Sequence, residues 1–348
     1  MALLQTTKSD APFLESVNPR AAIPGGVLEV HGVHLIRSQS SDVPMPHATF
    51  GETEASLDLA RETRAVVRVP VGAIASDLVL HRDGMASNVV HANVGVPMVE
   101  EMHLVSNPAV DAEGNVFAMV SGPRGENVPV SIFKVGRDLQ VHPFVRDVMN
   151  VSALAFDRSG YLYASSRHEG VVYRVSPAGA VTTFAEGMGL ATGLAFDRDG
   201  NLFVGDRSGT IFKISPEKEI FVYATLEPSV AAYHLAFRDD GVLLVTAPTT
   251  SSNQSIFAVD EHGTVSVFFA GLGRPQGMAF DFDGNLYVAA SWRGRRGIVR
   301  IDQDRHAEVI VSGNDLVGLC FLEDGCAALA TNSTLFHIDL GIQGRALI

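Results

Sequence analysis

Two histidines, His168 and His234, stand next to polar residues in this chain. Imidazole titrates near neutrality, so such a pair is suited to act as acid and base in a reaction that needs no metal. Ser106, Ser152, Thr192, Tyr233 and Gln276 hold one equivalent position in a recurring motif and offer neutral hydroxyl or amide groups. Arg124, Arg167, Arg207, Trp292 and Arg293 hold another. Guanidinium groups present planar forks of donors that match carboxylate or phosphate. Together these residues are expected to bind a small anionic or polyhydroxylated ligand such as a sugar acid, or a protein partner. The competing arrangement has the arginines solvated and paired with Glu126, Glu169 and Asp206. The chain contains no Gly-x-Ser-x-Gly elbow, phosphate-binding loop or His-Glu-x-x-His pair.

The elements that must position these groups follow from an internal repeat. From residue 105 onward a small residue precedes an apolar run, an Asp or its substitute, two further residues and a Gly; the copies end at Gly114, Gly160, Gly200, Gly241, Gly284 and Gly325. Their spacings of 46, 40, 41, 43 and 41 residues suit four short antiparallel strands per copy. The Asp-x-x-Gly step supplies a side-chain acceptor and a positive-φ position for a tight turn. After it come alternating apolar strands such as Asn201-Leu-Phe-Val and Thr210-Ile-Phe-Lys-Ile. No sustained helical period is present. Six such sheets predict a six-bladed β-propeller over residues 98–348, with Val99 to Leu104 or Arg345 to Ile348 closing the ring. In that geometry the motif-start residues share one face with the loops between second and third strands. The five hydroxyl and amide residues then form a polar floor inside a cationic collar.

Residues 12–96 differ. Short β-type runs (Val27-Leu-Glu-Val, Ala65-Val-Val-Arg-Val, Asp77-Leu-Val-Leu) alternate with Pro-Gly-Gly and Arg-Asp-Gly punctuation, which predicts a small β-sandwich over residues 1–97. The whole chain is therefore expected to be all-β, an immunoglobulin-like sandwich followed by a propeller.

Composition narrows the function. Of the 348 residues 46% are hydrophobic and 19% charged, enough apolar material for packed cores. The formal charge of −13 argues against nucleic acid and anionic membrane as partners, and no apolar run is long enough to span a bilayer. The first ten residues lack the layout of a secretory signal, so the chain as written is expected to be cytoplasmic, or extracytoplasmic if its start is misassigned. Two cysteines, Cys320 and Cys326, are expected to be reduced thiols.

Ser16-Val-Asn-Pro19, Pro24-Gly-Gly26, Val30-His-Gly32, Phe50-Gly51, Val69-Pro70 and Gly84-Met-Ala-Ser-Asn88 resemble the IPT/TIG family of immunoglobulin-like domains, which implies a binding or spacer module. The repeat, above all Arg274-Pro-Gln-Gly-Met-Ala-Phe-Asp281-Phe-Asp-Gly-Asn-Leu-Tyr-Val288, is similar to the senescence-marker-protein/gluconolactonase and NHL-repeat families. The lactonase resemblance implies a divalent metal at the channel mouth, with Glu, Asn and Asp ligands and a substrate-contacting Asn. The matching positions here hold Ser106, Tyr233, Gln276 and Thr192, none of them charged, so no metal or other cofactor is predicted. A shift of one residue would bring in Asn107 or His234 and reopen calcium or zinc. The expectation is a binding module, the alternative being a lactonase-like hydrolase or lyase with a rebuilt site.

Overall fold

The computed structural model describes residues 10–36, 45–122 and 128–345. Apart from one 3-10 turn at Glu323–Gly325, their regular structure is all β. The chain divides into two compact units, Met1–Val96 with Ile310–Gly313, and Pro97–Val309 with Asn314–Ile348.

In the first unit, Phe13–Asn18, Val27–Val33, Arg64–Arg68 and Leu57–Ala60 form one antiparallel sheet. Val90–His91, Asp77–Arg82, His47–Phe50 and Thr53–Ala55 form another. Burial alternates along these strands, as the period-two patterning predicts: Leu28 and Val30 point inward, as do Leu78 and Leu80. Leu14, Leu28, Phe50, Val67 and Leu80 meet in one core drawn from both sheets.

The second unit is a series of antiparallel sheets, each with four strands in chain order. They run over residues 109–145, 151–185, 191–225 and 234–272. A further set comprises Met278–Phe280, Leu286–Trp292, Arg295–Ile301 and Ala307–Ser312. In the last sheet Leu316–Phe321, Cys326–Thr331 and Leu335–Asp339 are flanked on the outside by Val96–Val99. The flanking strand is thus drawn from earlier in the chain, just before the 99–104 segment that the sequence suggested. Arg345 instead bonds through its backbone N–H to Phe280 O at 2.8 Å, and residues 346–348 lie outside the described residues.

The repeat residues build this unit directly. The Asp157 carboxylate accepts the backbone N–H groups of Ser159 (2.8 Å) and Tyr161 (2.9 Å), and Gly160 takes the positive φ of 79° that closes the turn. Asp197 with Gly200 and Asp281 with Gly284 repeat the arrangement. The recurring Phe directly before the turn locks one sheet to the sheet before it. Phe156 stands edge-on to Phe117, Phe196 to Tyr163, Phe237 to Phe203 and Phe321 to Tyr287, with centroids 4.9–5.1 Å apart. Such pairs contribute about 0.5–1.5 kcal/mol beyond area burial. The first strands of successive sheets touch one another, and the series returns from Leu316–Phe321 to Ala109–Val110 around a central cavity.

Candidate functional site

The first strands carry the motif-start residues at one end of the central cavity and the Asp-x-x-Gly turns at the other. The loops after the second strands lie with the motif starts: Arg167 N–H bonds Asn150 O, and Arg207 N–H bonds Leu190 O, both at 3.3 Å.

At this end the polar floor is consumed by the fold. Ser152 Oγ donates to Asn150 O (3.2 Å), and Thr192 Oγ1 donates to Gly205 O (2.9 Å) while accepting Tyr233 N–H (3.1 Å). The Tyr233 hydroxyl donates to Glu227 O, and burial, with Asp206 and Glu227 nearby, pushes its pKa up to about 12. Gln276 Nε2 donates to Leu316 O at 3.3 Å. All but Gln276 are buried. Thr192, through Tyr233 N–H, and the Gln276 amide therefore tie neighbouring sheets together, while the Ser152 and Tyr233 hydroxyls satisfy carbonyls a few residues back along the chain. Ser106 Oγ and His234 Nδ1 meet at 3.1 Å, both side chains buried and 128 residues apart in sequence. Burial alone brings the His234 imidazole down to about 4, so it is uncharged at neutral pH.

The collar residues fare differently. Arg167 is half-buried and donates to Ser121 Oγ at 3.0 Å; burial, then the charge of Arg207, holds its guanidinium below the usual range. Arg207 donates to Val230 O at 2.9 Å, and its Nε is buried without a partner. Among the described residues neither guanidinium has a carboxylate in ion-pair contact. Glu169 accepts from Ser166 and Tyr173, and Asp206 accepts from Leu190 N–H and the Ser208 hydroxyl. Arg293 sits over the Trp292 ring at 5.4 Å, and that ring packs on Phe269. His168 is exposed in the loop after Leu162–Ser166, so the partner of His234 is Ser106 and not His168. Arg124 and Glu126 lie outside the described residues.

The positions where the resemblance to lactonases led the sequence reading to expect metal ligands hold the imidazole-bonded Ser106 hydroxyl, the Tyr233 hydroxyl and the Gln276 amide, and the expected substrate contact is the Thr192 hydroxyl. They offer no carboxylate, and this set does not fit a divalent cation. Among the described residues no three His, Cys, Asp or Glu side chains gather where a metal could be held.

The sequence reading missed a cavity of about 410 Å³ that has its rim at the turn end and reaches inward as far as Ser106, Asn107 and His234. Its walls come from Ala153–Ala155, Gly193–Phe196 and Leu235–Phe237; Ser106, Asn107 and His234 line it too. Its rim carries Arg158, Arg198, Arg238, Asp239, Phe282 and Arg345. The legible signal was the residue directly after the repeat aspartate, which is Arg158, Arg198 and Phe282 in three copies. Asn107 tightens the opposite wall: its Nδ2 donates to Met278 O (2.8 Å) and its Oδ1 accepts Leu319 N–H (3.1 Å).

No protein-family model matches this sequence, and no curated protein matches it. Solved structures do. A gluconolactonase from Xanthomonas campestris is 16% identical with a TM-score of 0.59, over 72% of this chain and 90% of its own. Virginiamycin B lyase from Staphylococcus aureus is 13% identical with a TM-score of 0.53, over 71% and 98%. An auxiliary nutrient binding protein from Bacteroides thetaiotaomicron is 12% identical with a TM-score of 0.56, and its match takes in 94% of this chain and 97% of that one. Similarity at this level of identity establishes the architecture and leaves chemistry to the site. The chain has an all-β, propeller-like fold of the kind found in gluconolactonases and virginiamycin B lyase.

Proposed function

We propose that this protein is a binding module, an immunoglobulin-like sandwich joined to a six-bladed propeller that takes a small anionic or sugar-like ligand, or a carboxylate offered by a protein partner. The observation that carries this reading is the Arg167 and Arg207 pair, two neighbouring guanidiniums with no carboxylate in ion-pair contact among the described residues, one with a buried unpartnered Nε. Like charges held together and partly desolvated cost free energy, and a bound anion offsets that cost while satisfying the open donor. The return of the first-strand series to its start supports six blades, and the two sheets around one core support the sandwich. A whole-chain likeness to an auxiliary nutrient binding protein is consistent with binding as the task.

The test is calorimetric titration with gluconate and glucose. Gluconate should bind and glucose should not. Arg167→Ala and Arg207→Ala should each weaken gluconate about tenfold or more, the range of a lost hydrogen bond to a charged group. Added salt should weaken binding to the native protein most. Variants that bind gluconate as tightly as the native protein at low salt would refute the reading.

A hydrolase or lyase is the second reading, favoured by the Ser106 and His234 hydrogen bond, which sets a neutral imidazole against a hydroxyl. It predicts lactone turnover that His234→Gln abolishes with the fold intact.

A further inference from the structure

We infer that the cavity at the turn end of the second unit is a separate ligand site, one that takes a ring-bearing apolar molecule with a single carboxylate. Its volume of about 410 Å³ lies within the roughly 300–1,000 Å³ typical of small-molecule sites. Three features define the ligand. The walls are apolar, with Ala153, Ala155, Leu194, Ala195, Leu235 and Ala236 among them, so the body of the ligand is hydrocarbon and not a polyol. The polar lining away from the rim consists of Ser106, Asn107 and a buried His234, uncharged groups that leave no countercharge inside for a second anionic group.

The rim supplies that countercharge. Arg158, Arg198, Arg238 and Arg345 all line it. Asp239 serves two of these cations, bonding Arg198 at 3.0 Å and also Arg345, and Asp240 holds Arg238 at 2.9 Å. Arg158 is exposed and, among the described residues, has no ion-pair partner, so the rim carries an excess of cations over carboxylates. Phe282 stands on the same rim with 70% of its surface exposed. An exposed ring beside an open guanidinium at the mouth of an apolar cavity suits an aromatic carboxylate. The ring enters the cavity or stacks on Phe282, and the carboxylate stays at the rim in the fork of Arg158. The charge stays at the mouth because burying it among these walls would strip its water without replacement.

This site is independent of the Arg167 and Arg207 pair, and the experiment separates the two. Naphthoate and its neutral amide, naphthamide, are titrated calorimetrically into the full-length protein. Naphthoate should bind with a Kd below roughly 1 mM, and naphthamide about tenfold or more weaker. Arg158→Glu, a change at an exposed position that should leave the Tm unaltered, should weaken naphthoate at least tenfold. Arg198→Ala should also weaken it. Arg167→Ala and Arg207→Ala should leave naphthoate unchanged, whatever they do to gluconate. No naphthoate binding to the native protein, equal affinity for the amide, or undiminished affinity in Arg158→Glu would each overturn the assignment. Loss of naphthoate in Arg207→Ala would place it at the other end.

Discussion

Replacing His234 by Gln tests whether an uncharged imidazole is built into the centre of the second unit. Burial brings the folded imidazole to about 4 from a usual value of 6.5, and no charged neighbour contributes. Between those values the unfolded chain holds a proton that the native protein lacks, so acidification favours unfolding. The contribution is fully present above about pH 6.5 and is lost as the pH falls toward 4. A shift of this size corresponds to roughly 3 kcal/mol over the window. For a unit of this length that is on the order of 10 °C in Tm. Glutamine keeps a hydrogen-bonding group for Ser106 and cannot titrate. Thermal unfolding of both proteins from pH 7 to pH 4 should therefore show the native Tm falling more steeply than that of His234→Gln. Carboxylates common to both proteins cancel in the difference. Parallel curves would refute the reasoning, because they would mean that His234 is protonated as readily in the folded state as in the unfolded one.

Two further perturbations probe the frame around the cavity and its thiols. Asn107→Ala should destabilise the protein by roughly 2–4 kcal/mol in urea unfolding, because Met278 O and Leu319 N–H lose their partner. Gly318→Ala should be at least as harmful, since its new Cβ would lie 2.5 Å from Asn107 Oδ1 and 2.6 Å from the Asn107 backbone nitrogen. Adding Asn107→Ala should not rescue it, because the backbone clash remains; full rescue would contradict that geometry. With a thiol-specific reagent near pH 8, Cys320 should stay silent in the native protein, its thiol pushed up to about 12 by burial. Cys326 should react slowly, raised first by burial and then by Asp339 and Asp324. Urea should release both, and two rapidly reacting thiols in the native protein would be the contrary result.

Sequence alone went far with the fold because the signals are local. An Asp that caps its own turn and a Gly at positive φ act within five residues, as Asp157 and Gly160 do. The alternating strands need only a period of two, and the Phe before the turn recurs in four sheets where it packs edge-on against a ring of the sheet before. The absence of charge from Ser106, Thr192, Tyr233 and Gln276 was also readable from residue types. What the side chains do there was a tertiary matter. Ser152, Thr192 and Tyr233 have the types of a binding floor, yet each spends its hydroxyl on a backbone carbonyl, that of Asn150, Gly205 and Glu227, and residue type alone does not show this. Arg167 and Arg207 stand 40 residues apart in sequence and become neighbours because equivalent loops of consecutive sheets sit side by side. The turn-end cavity, and the hydrogen bond from Ser106 to His234 across 128 residues, exist only once the first strands stand around a common centre. Local patterning specifies strands and turns because their energetics lie within a few residues. Burial, proximity of charge and cavity shape depend on how the sheets are arranged in space, and that decided which of the polar residues are open to a ligand.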